Sequence, residues 1–106
     1  MPMAERRRDA RIPIDRPVKL QCCVTGRYLR GRTDNLSSSG ALLELDHPSL
    51  LVPGQRLKVG IAWNRGQAVL EQDDLAEATV VRSLGHGESQ RVAVRFTQRQ
   101  TLAIAG

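Results

Sequence analysis

The chain has 106 residues, of which 41% are hydrophobic and 25% charged, and its formal net charge is +5. This length fits one domain with a single core, and the apolar content excludes a wholly disordered chain. One tryptophan, one tyrosine and one phenylalanine are the only aromatic residues, so the core is predicted to be aliphatic. The sequence therefore lacks the rows of aromatic side chains on which single-stranded bases stack.

The positive charge is concentrated in the first third of the chain. Residues 1–32 hold nine basic and three acidic side chains, whereas the remaining residues hold seven basic and eight acidic ones. Fourteen of the sixteen basic residues are arginine. Because a planar guanidinium group binds phosphates and guanine edges through paired hydrogen bonds, this bias favours a defined anionic ligand. A high genomic GC content would enrich arginine in the same way.

The first predicted element is a leader over residues 1–15, which contains the stretch ERRRDAR at 5–11. Its like charges repel one another, so we expect a flexible segment. After it, apolar and polar residues alternate in six short runs, a pattern that predicts β-strands with one buried face each. The runs lie near residues 18–24, 27–33, 41–45, 57–63, 76–84 and 92–96.

Turn signals separate these runs: Thr25-Gly26, Ser38-Ser39-Gly40, Pro53-Gly54, Asn64-Arg65-Gly66 and Gly85-His86-Gly87. Short strands separated by such turns predict an all-β fold, a small antiparallel β-barrel of six to seven strands over residues 16–97. A barrel also removes the open edges that a small sheet would have to protect. The tail, residues 98–106, is predicted to form at most a short helix.

The two cysteines, Cys22 and Cys23, are adjacent in a predicted strand, so their side chains should point to opposite faces. A bond between them would be strained, and two cysteines are too few for a four-cysteine metal site. We therefore expect free thiols and neither a metal nor a cofactor. The charged start and the lack of a long apolar run predict no membrane insertion and a cytoplasmic protein.

A polar stretch, DNLSSSG at residues 34–40, lies between the second and third predicted strands. Asparagine, serine and glycine are ordinary turn residues, and Gly40 can simply supply a positive φ. An arginine run is by itself more often a solvated leader than a binding site. The two stretches are informative because they occur together, with a barrel behind both.

In combination they resemble the PilZ domain, the bacterial receptor module for cyclic di-GMP. RRDAR supplies an RxxxR motif that begins at Arg7 and ends at Arg11, and NLSSSG supplies a [D/N]xSxxG motif through Asn35, Ser37 and Gly40. The resemblance covers about residues 5–96. It implies a stand-alone cyclic di-GMP receptor or adaptor that is not an enzyme.

The resemblance also implies roles for the motif residues. Arg7 and Arg11 would grip the ligand's phosphates and guanine bases, with Arg6 and Arg8 in support. Asn35 would face a guanine edge, Ser37 would offer its hydroxyl, and Gly40 would let the ligand approach the backbone. Asparagine in place of the more frequent aspartate offers guanine one accepting oxygen rather than two, so an altered affinity is expected.

Ligand binding would order the leader and create a surface for a downstream protein partner. Arg6 before the RxxxR motif fits family members that bind two stacked ligand molecules, although the stoichiometry stays open. The downstream pathway, the partner, the affinity and the oligomeric state also stay open.

Three other interpretations compete with this one. A small nucleic-acid-binding barrel fits the charge, but the shortage of aromatics and the balanced charge after residue 32 argue against it. A PilZ-like adaptor that acts only through protein contacts would not need the two motifs. An enzyme has the least support, because His47 and His86 lie in predicted loops without an evident nucleophile or metal partner.

Overall fold

The computed structural model describes residues 11–47, 51–62 and 75–100. Within these ranges all regular secondary structure is β-strand. Seven strands follow one another along the chain: β1 (Ile12–Pro13), β2 (Pro17–Cys22), β3 (Tyr28–Leu36), β4 (Gly40–Leu45), β5 (Arg56–Ile61), β6 (Ala76–His86) and β7 (Ser89–Phe96). The predicted all-β fold is confirmed.

The strands close into an antiparallel barrel. Their order in the sheet is β1-β3-β2-β5-β6-β7-β4, and an additional pairing between β3 and β4 closes the ring. Six strands, β2 to β7, therefore form the barrel, and β1 lies beside β3 as a seventh strand. This arrangement confirms the predicted architecture of six to seven strands.

The interior of the barrel is aliphatic, as the composition predicts. Buried and exposed positions alternate along β2, β4 and β7, with the apolar residues on the buried face. Leu20, Leu43 and Leu57 are completely buried, and Phe96 is the aromatic residue of the core among the described residues. Each fully buried leucine contributes about 1.5–3 kcal/mol relative to an exposed one.

Several boundaries differ from the sequence prediction. β2 ends at Cys22, and residues 23–25 form a turn, so Val24 is 84% exposed rather than inward-facing. β3 extends to Leu36, three residues beyond the predicted strand. Cys22 is buried in β2, Cys23 is exposed in the turn that follows, and both are free thiols.

The last residues of the predicted leader are anchored to the barrel. Ile12 and Pro13 pair with Leu36 and Asn35 of β3, and Ile14 packs against the core. Ile12 contributes through strand pairing and Ile14 through core packing, whereas the flexibility expected for the leader as a whole stays a prediction. Residues 1–10, with Arg6, Arg7 and Arg8, lie outside the described ranges, as do Trp63 and the predicted turn at 64–66.

The predicted C-terminal tail is described only as far as residue 100, and no helix occurs at 98–100. In the described part of the chain there is also no helix with the length and hydrophobicity to cross a membrane.

Candidate ligand-binding groove

An open groove of about 750 Å³ lies on the outer face of the barrel. Four predicted site residues fall within the described ranges, Arg11, Asn35, Ser37 and Gly40, and all four line this groove. The structure thus brings the end of the RxxxR motif next to the NxSxxG motif, although the two are more than twenty residues apart in the chain. Pairing between β1 and β3 is the cause, because it lays the residue after Arg11 opposite Leu36.

A β-bulge in β3 sets the direction of Asn35. Thr33 pairs with Leu43 and Asn35 with Leu42, so Asp34 is an extra residue without a partner in β4. Continued alternation from Gly31 and Thr33, which are both buried, would turn Asn35 into the core. The extra residue reverses the phase, so Leu36 enters the core and Asn35 faces the groove.

A second bulge, in β6, has the same effect on an arginine. Val80 pairs with Val94 and Arg82 with Ala93, which leaves Val81 as the extra residue. Ala78 and Val80 are buried, and unbroken alternation would bury Arg82 as well. Because of the bulge, Arg82 is exposed and lines the groove.

The groove is strongly basic. Arg11, Arg82, Arg95 and Arg99 line it, all four are exposed, and no described lining residue is an aspartate or glutamate. Such a surface attracts anions, and guanidinium groups can grip phosphate oxygens in pairs. Sequence reasoning missed three of these residues. The alternation of β7 shows that Arg95 faces outward, but nothing in the sequence places it beside Gly40, its partner in β4.

Ser37 and Gly40 close a tight turn between β3 and β4. The Ser37 N–H donates to the Gly40 carbonyl at 2.9 Å, and the Gly40 N–H donates to the Ser37 Oγ at 3.1 Å. Ser37 is 7% exposed, and its Oγ also lies 3.3 Å from the Oγ of Ser39. The hydroxyl therefore already has partners inside the turn, and its contact with a ligand stays a prediction.

The segment after β7 holds the other side of this turn. The Phe96 N–H donates to the Ser39 carbonyl at 2.8 Å, and the Gln100 N–H donates to the Ser38 carbonyl at 2.7 Å. Arg99 donates from Nη2 to the Ser38 Oγ at 2.9 Å. These bonds fix the turn and keep Arg99 at the edge of the groove.

The packing of the barrel strands leaves no room for a side chain at Gly40. Its φ is not positive, so the suggestion that it supplies a left-handed turn conformation is wrong. A Cβ at this position would lie 2.4 Å from the Val94 carbonyl oxygen, because β4 and β7 approach closely there. The close neighbour in this structure is thus backbone of the next strand, and the predicted approach of a ligand to Gly40 stays a prediction.

A second groove, of about 480 Å³, differs in charge. Its lining includes four carboxylates, those of Asp15, Asp34, Glu44 and Asp46, and one arginine, Arg32. Arg32 is already paired with Asp15. A doubly charged anion would be repelled from this surface, so the arginine-lined groove is the candidate site for such a ligand.

Among the described residues, no cysteine lines the arginine-lined groove. Over the described residues, no group of three or more histidine, cysteine, aspartate or glutamate side chains could hold a metal ion. Cys22 is the last residue of β2 and is not among the residues that line the groove. Hydrogen bonds from the backbone and side chain of Thr25, with a weaker one from Gln55, lower the pKa of the Cys22 thiol to about 7.

The comparison with protein families settles the classification. A protein-family model for the PilZ domain matches residues 5–103. The chain belongs to the PilZ domain family. The match spans the barrel and both motifs, so the family resemblance predicted from the sequence is confirmed. Among curated proteins, none matches the chain significantly.

Solved structures support the PilZ fold. The inhibitor of motility MotI/DgrA from Bacillus subtilis is 19% identical with a TM-score of 0.66, and the match covers 90% of this chain and 44% of that one. The PilZ domain of CeSA from a cellulose-synthesizing bacterium is 21% identical with a TM-score of 0.60, covering 86% and 83%. The PilZ domain of Escherichia coli YcgR, solved with c-di-GMP, is 20% identical with a TM-score of 0.60, covering 87% and 78%.

This chain thus spans less than half of the length of MotI/DgrA. At these identities the likeness is one of fold.

Proposed function

We propose that this PilZ domain is a receptor for cyclic di-GMP and acts as an adaptor rather than as an enzyme. The observation that carries the proposal is the groove in which Arg11, Asn35 and Ser37 come together with three further arginines and no described carboxylate. Cyclic di-GMP carries two negative phosphodiesters and two guanines, and both groups are acceptors for guanidinium. The PilZ domain of YcgR, which shares this fold, was solved with c-di-GMP.

The proposed roles follow the chemistry of each side chain. Arg11 binds a phosphate or the O6 and N7 edge of a guanine, where a good two-pronged pair contributes about 1–3 kcal/mol. Asn35 faces the hydrogen-bonding edge of a guanine with one acceptor and one donor group. Ser37 contributes its hydroxyl, and Gly40 keeps the turn close to β7.

The leader supplies the rest of the proposed site. Arg7 is the first residue of the RxxxR motif, and Arg6 and Arg8 flank it. We propose that these three arginines close over the bound ligand, while Arg11 stays anchored through β1. Closing of the leader would create the surface that a downstream protein partner recognises. The ligand can favour this closed form of the leader only by as much as it binds that form more tightly than the open one.

Measuring Tm with and without ligand is a first test of the proposal. A ligand that binds only the folded state stabilises it by about 2.7 kcal/mol at one hundred times its Kd. We expect a concentration-dependent rise of Tm with cyclic di-GMP and none with equal concentrations of GTP or cyclic di-AMP. Random RNA or DNA that binds tightly, with an affinity that falls steeply as salt rises, would instead favour a nucleic-acid-binding barrel.

A further inference from the structure

A buried hydroxyl joins the anchored end of the leader to the strand that carries Asn35. Thr33 is 2% exposed and precedes the bulge in β3. Its Oγ1 accepts a hydrogen bond from the Arg16 N–H at 2.8 Å and donates one to the Ile14 carbonyl. Its own N–H donates to the Arg16 carbonyl at 2.8 Å. One residue thus makes three bonds to the segment between β1 and β2.

Along this segment the chain passes from the β1 pairing with β3 to the β2 pairing with β3. β2 pairs with residues 28–32 of β3, whereas β1 pairs with residues 35–36. Residues 14–16 cross the gap beside the bulge, and the Ile14 N–H donates to the Asp34 carbonyl at 3.3 Å. Without the Thr33 hydroxyl, the Arg16 N–H and one acceptor position at Ile14 would lose their partner in a part-buried place.

The position of Arg11 depends on this crossing. Arg11 stands three residues before Ile14, and β1 between them consists of two residues only. So short a pairing is marginal on its own. We propose that Thr33 is a positioning residue of the ligand site: its hydroxyl fixes the crossing, and through β1 it holds Arg11 beside Asn35. This inference rests on the proposed function for its effect on binding, but the anchoring can be measured without ligand.

The test compares three variants with the wild-type chain. Thr33→Val keeps the shape of the side chain and removes the hydroxyl, and Thr33→Ser restores the hydroxyl. Gln90→Leu is the matched control: like Thr33, Gln90 is buried, bonds through its side chain to backbone, at His47 and Leu51, and does not line the groove. Unlike those of Thr33, these bonds do not reach residues 14–16. Calorimetric titration with cyclic di-GMP is run at a temperature where all variants are folded, and amide hydrogen exchange is followed in the free proteins.

We expect Thr33→Val to weaken binding about tenfold and to speed exchange of the Arg16 N–H at least tenfold. Thr33→Ser and Gln90→Leu should bind within twofold of the wild type, even though Gln90→Leu lowers Tm. Equal binding by wild type and Thr33→Val, or equal loss in Gln90→Leu, would overturn the inference.

Two further outcomes are also decisive. If the wild-type chain does not bind the ligand, the proposed function fails, and exchange of the Arg16 N–H decides by itself whether Thr33 anchors the leader. If Thr33→Val does not fold, amide hydrogen exchange of the Arg16 N–H in the wild-type protein replaces the comparison between variants. Protection of the Arg16 N–H at the level of the core strands then supports the anchor, and exchange at the rate of an exposed loop overturns it.

Discussion

Asn35 and Arg82 lie on one cross-strand row, although they belong to β3 and β6, which are not neighbours in the barrel. Asn35 pairs with Leu42, Leu42 with Ala93, and Ala93 with Arg82. Three steps between strands separate the two residues by roughly 14 Å. Each follows a one-residue bulge that turns it outward, so two independent irregularities point a polar and a cationic side chain into the same groove.

The first prediction concerns Arg11. Arg11→Ala should weaken cyclic di-GMP binding about 10- to 100-fold in calorimetry, because the proposed charge-assisted contact contributes roughly 1.5–3 kcal/mol. The same variant should change the free energy of unfolding by less than about 0.5 kcal/mol, since the side chain is exposed. Arg27→Ala, at an exposed arginine of the β2–β3 turn, serves as control and should bind normally. Near-normal affinity of Arg11→Ala would remove this residue from the site.

Arg82 tests whether the bulge in β6 matters for binding. Arg82→Ala should weaken binding about tenfold, because the groove loses a guanidinium that we expect to contact the ligand's phosphates. The control is Arg56→Ala, which removes an exposed arginine of β5 that does not line the groove. Both affinities are measured at low and moderate salt. If both variants lose the same affinity, Arg82 acts only through the net charge of the protein and not through a specific contact.

Substitution of Gly40 is predicted to lower the free energy of unfolding. A Cβ in Gly40→Ala would meet the Val94 carbonyl oxygen, and since that atom is backbone, β4 and β7 must separate to admit it. We expect a loss of about 1–3 kcal/mol in urea unfolding. Gly26→Asn is the control, because a Cβ there meets no atom within 4 Å and asparagine tolerates the φ of +74°. An unchanged urea midpoint for Gly40→Ala would contradict the packing argument.

The thiol of Cys22 should make stability depend on pH. The pKa of Cys22 is lowered from 9.0 to about 7 in the folded chain, so the folded state releases its proton more readily than the unfolded state. Stability from this group is therefore complete above pH 9 and is lost as the pH falls towards 7. Relative to Cys22→Ser, the wild type should gain on the order of 2 kcal/mol between pH 6.5 and 9. A constant difference between the two proteins over this range would contradict the lowered pKa.

Much of the fold could be predicted from the sequence because the signal is local. Alternation of apolar and polar residues in runs such as 41–45 and 92–96 predicts where strands lie and which side is buried. Closure of the ring needs the pairing of β3 with β4 and of β4 with β7, which alternation does not encode. The antiparallel barrel was still predictable, because short strands and tight turns leave few other arrangements.

The site was predictable only in part. Asn35 and Ser37 were found through their motif, yet the outward direction of Asn35 depends on the bulge at Asp34, which no glycine or proline marks. Arg82 was missed for the same physical reason, because unbroken alternation from Ala78 and Val80 assigns it to the core. The buried hydroxyl of Thr33 carries no sequence signal, since its partners are backbone groups of another segment.

Calorimetric titration of the purified chain with cyclic di-GMP tests the central claim most directly, with GTP and cyclic di-AMP as matched controls. Heat and stoichiometry are read together, so the same experiment distinguishes one bound ligand molecule from two. The account predicts saturable binding of cyclic di-GMP in the micromolar range or tighter, and no binding of the two controls. A titration without binding heat at several temperatures, up to high micromolar ligand, would contradict it.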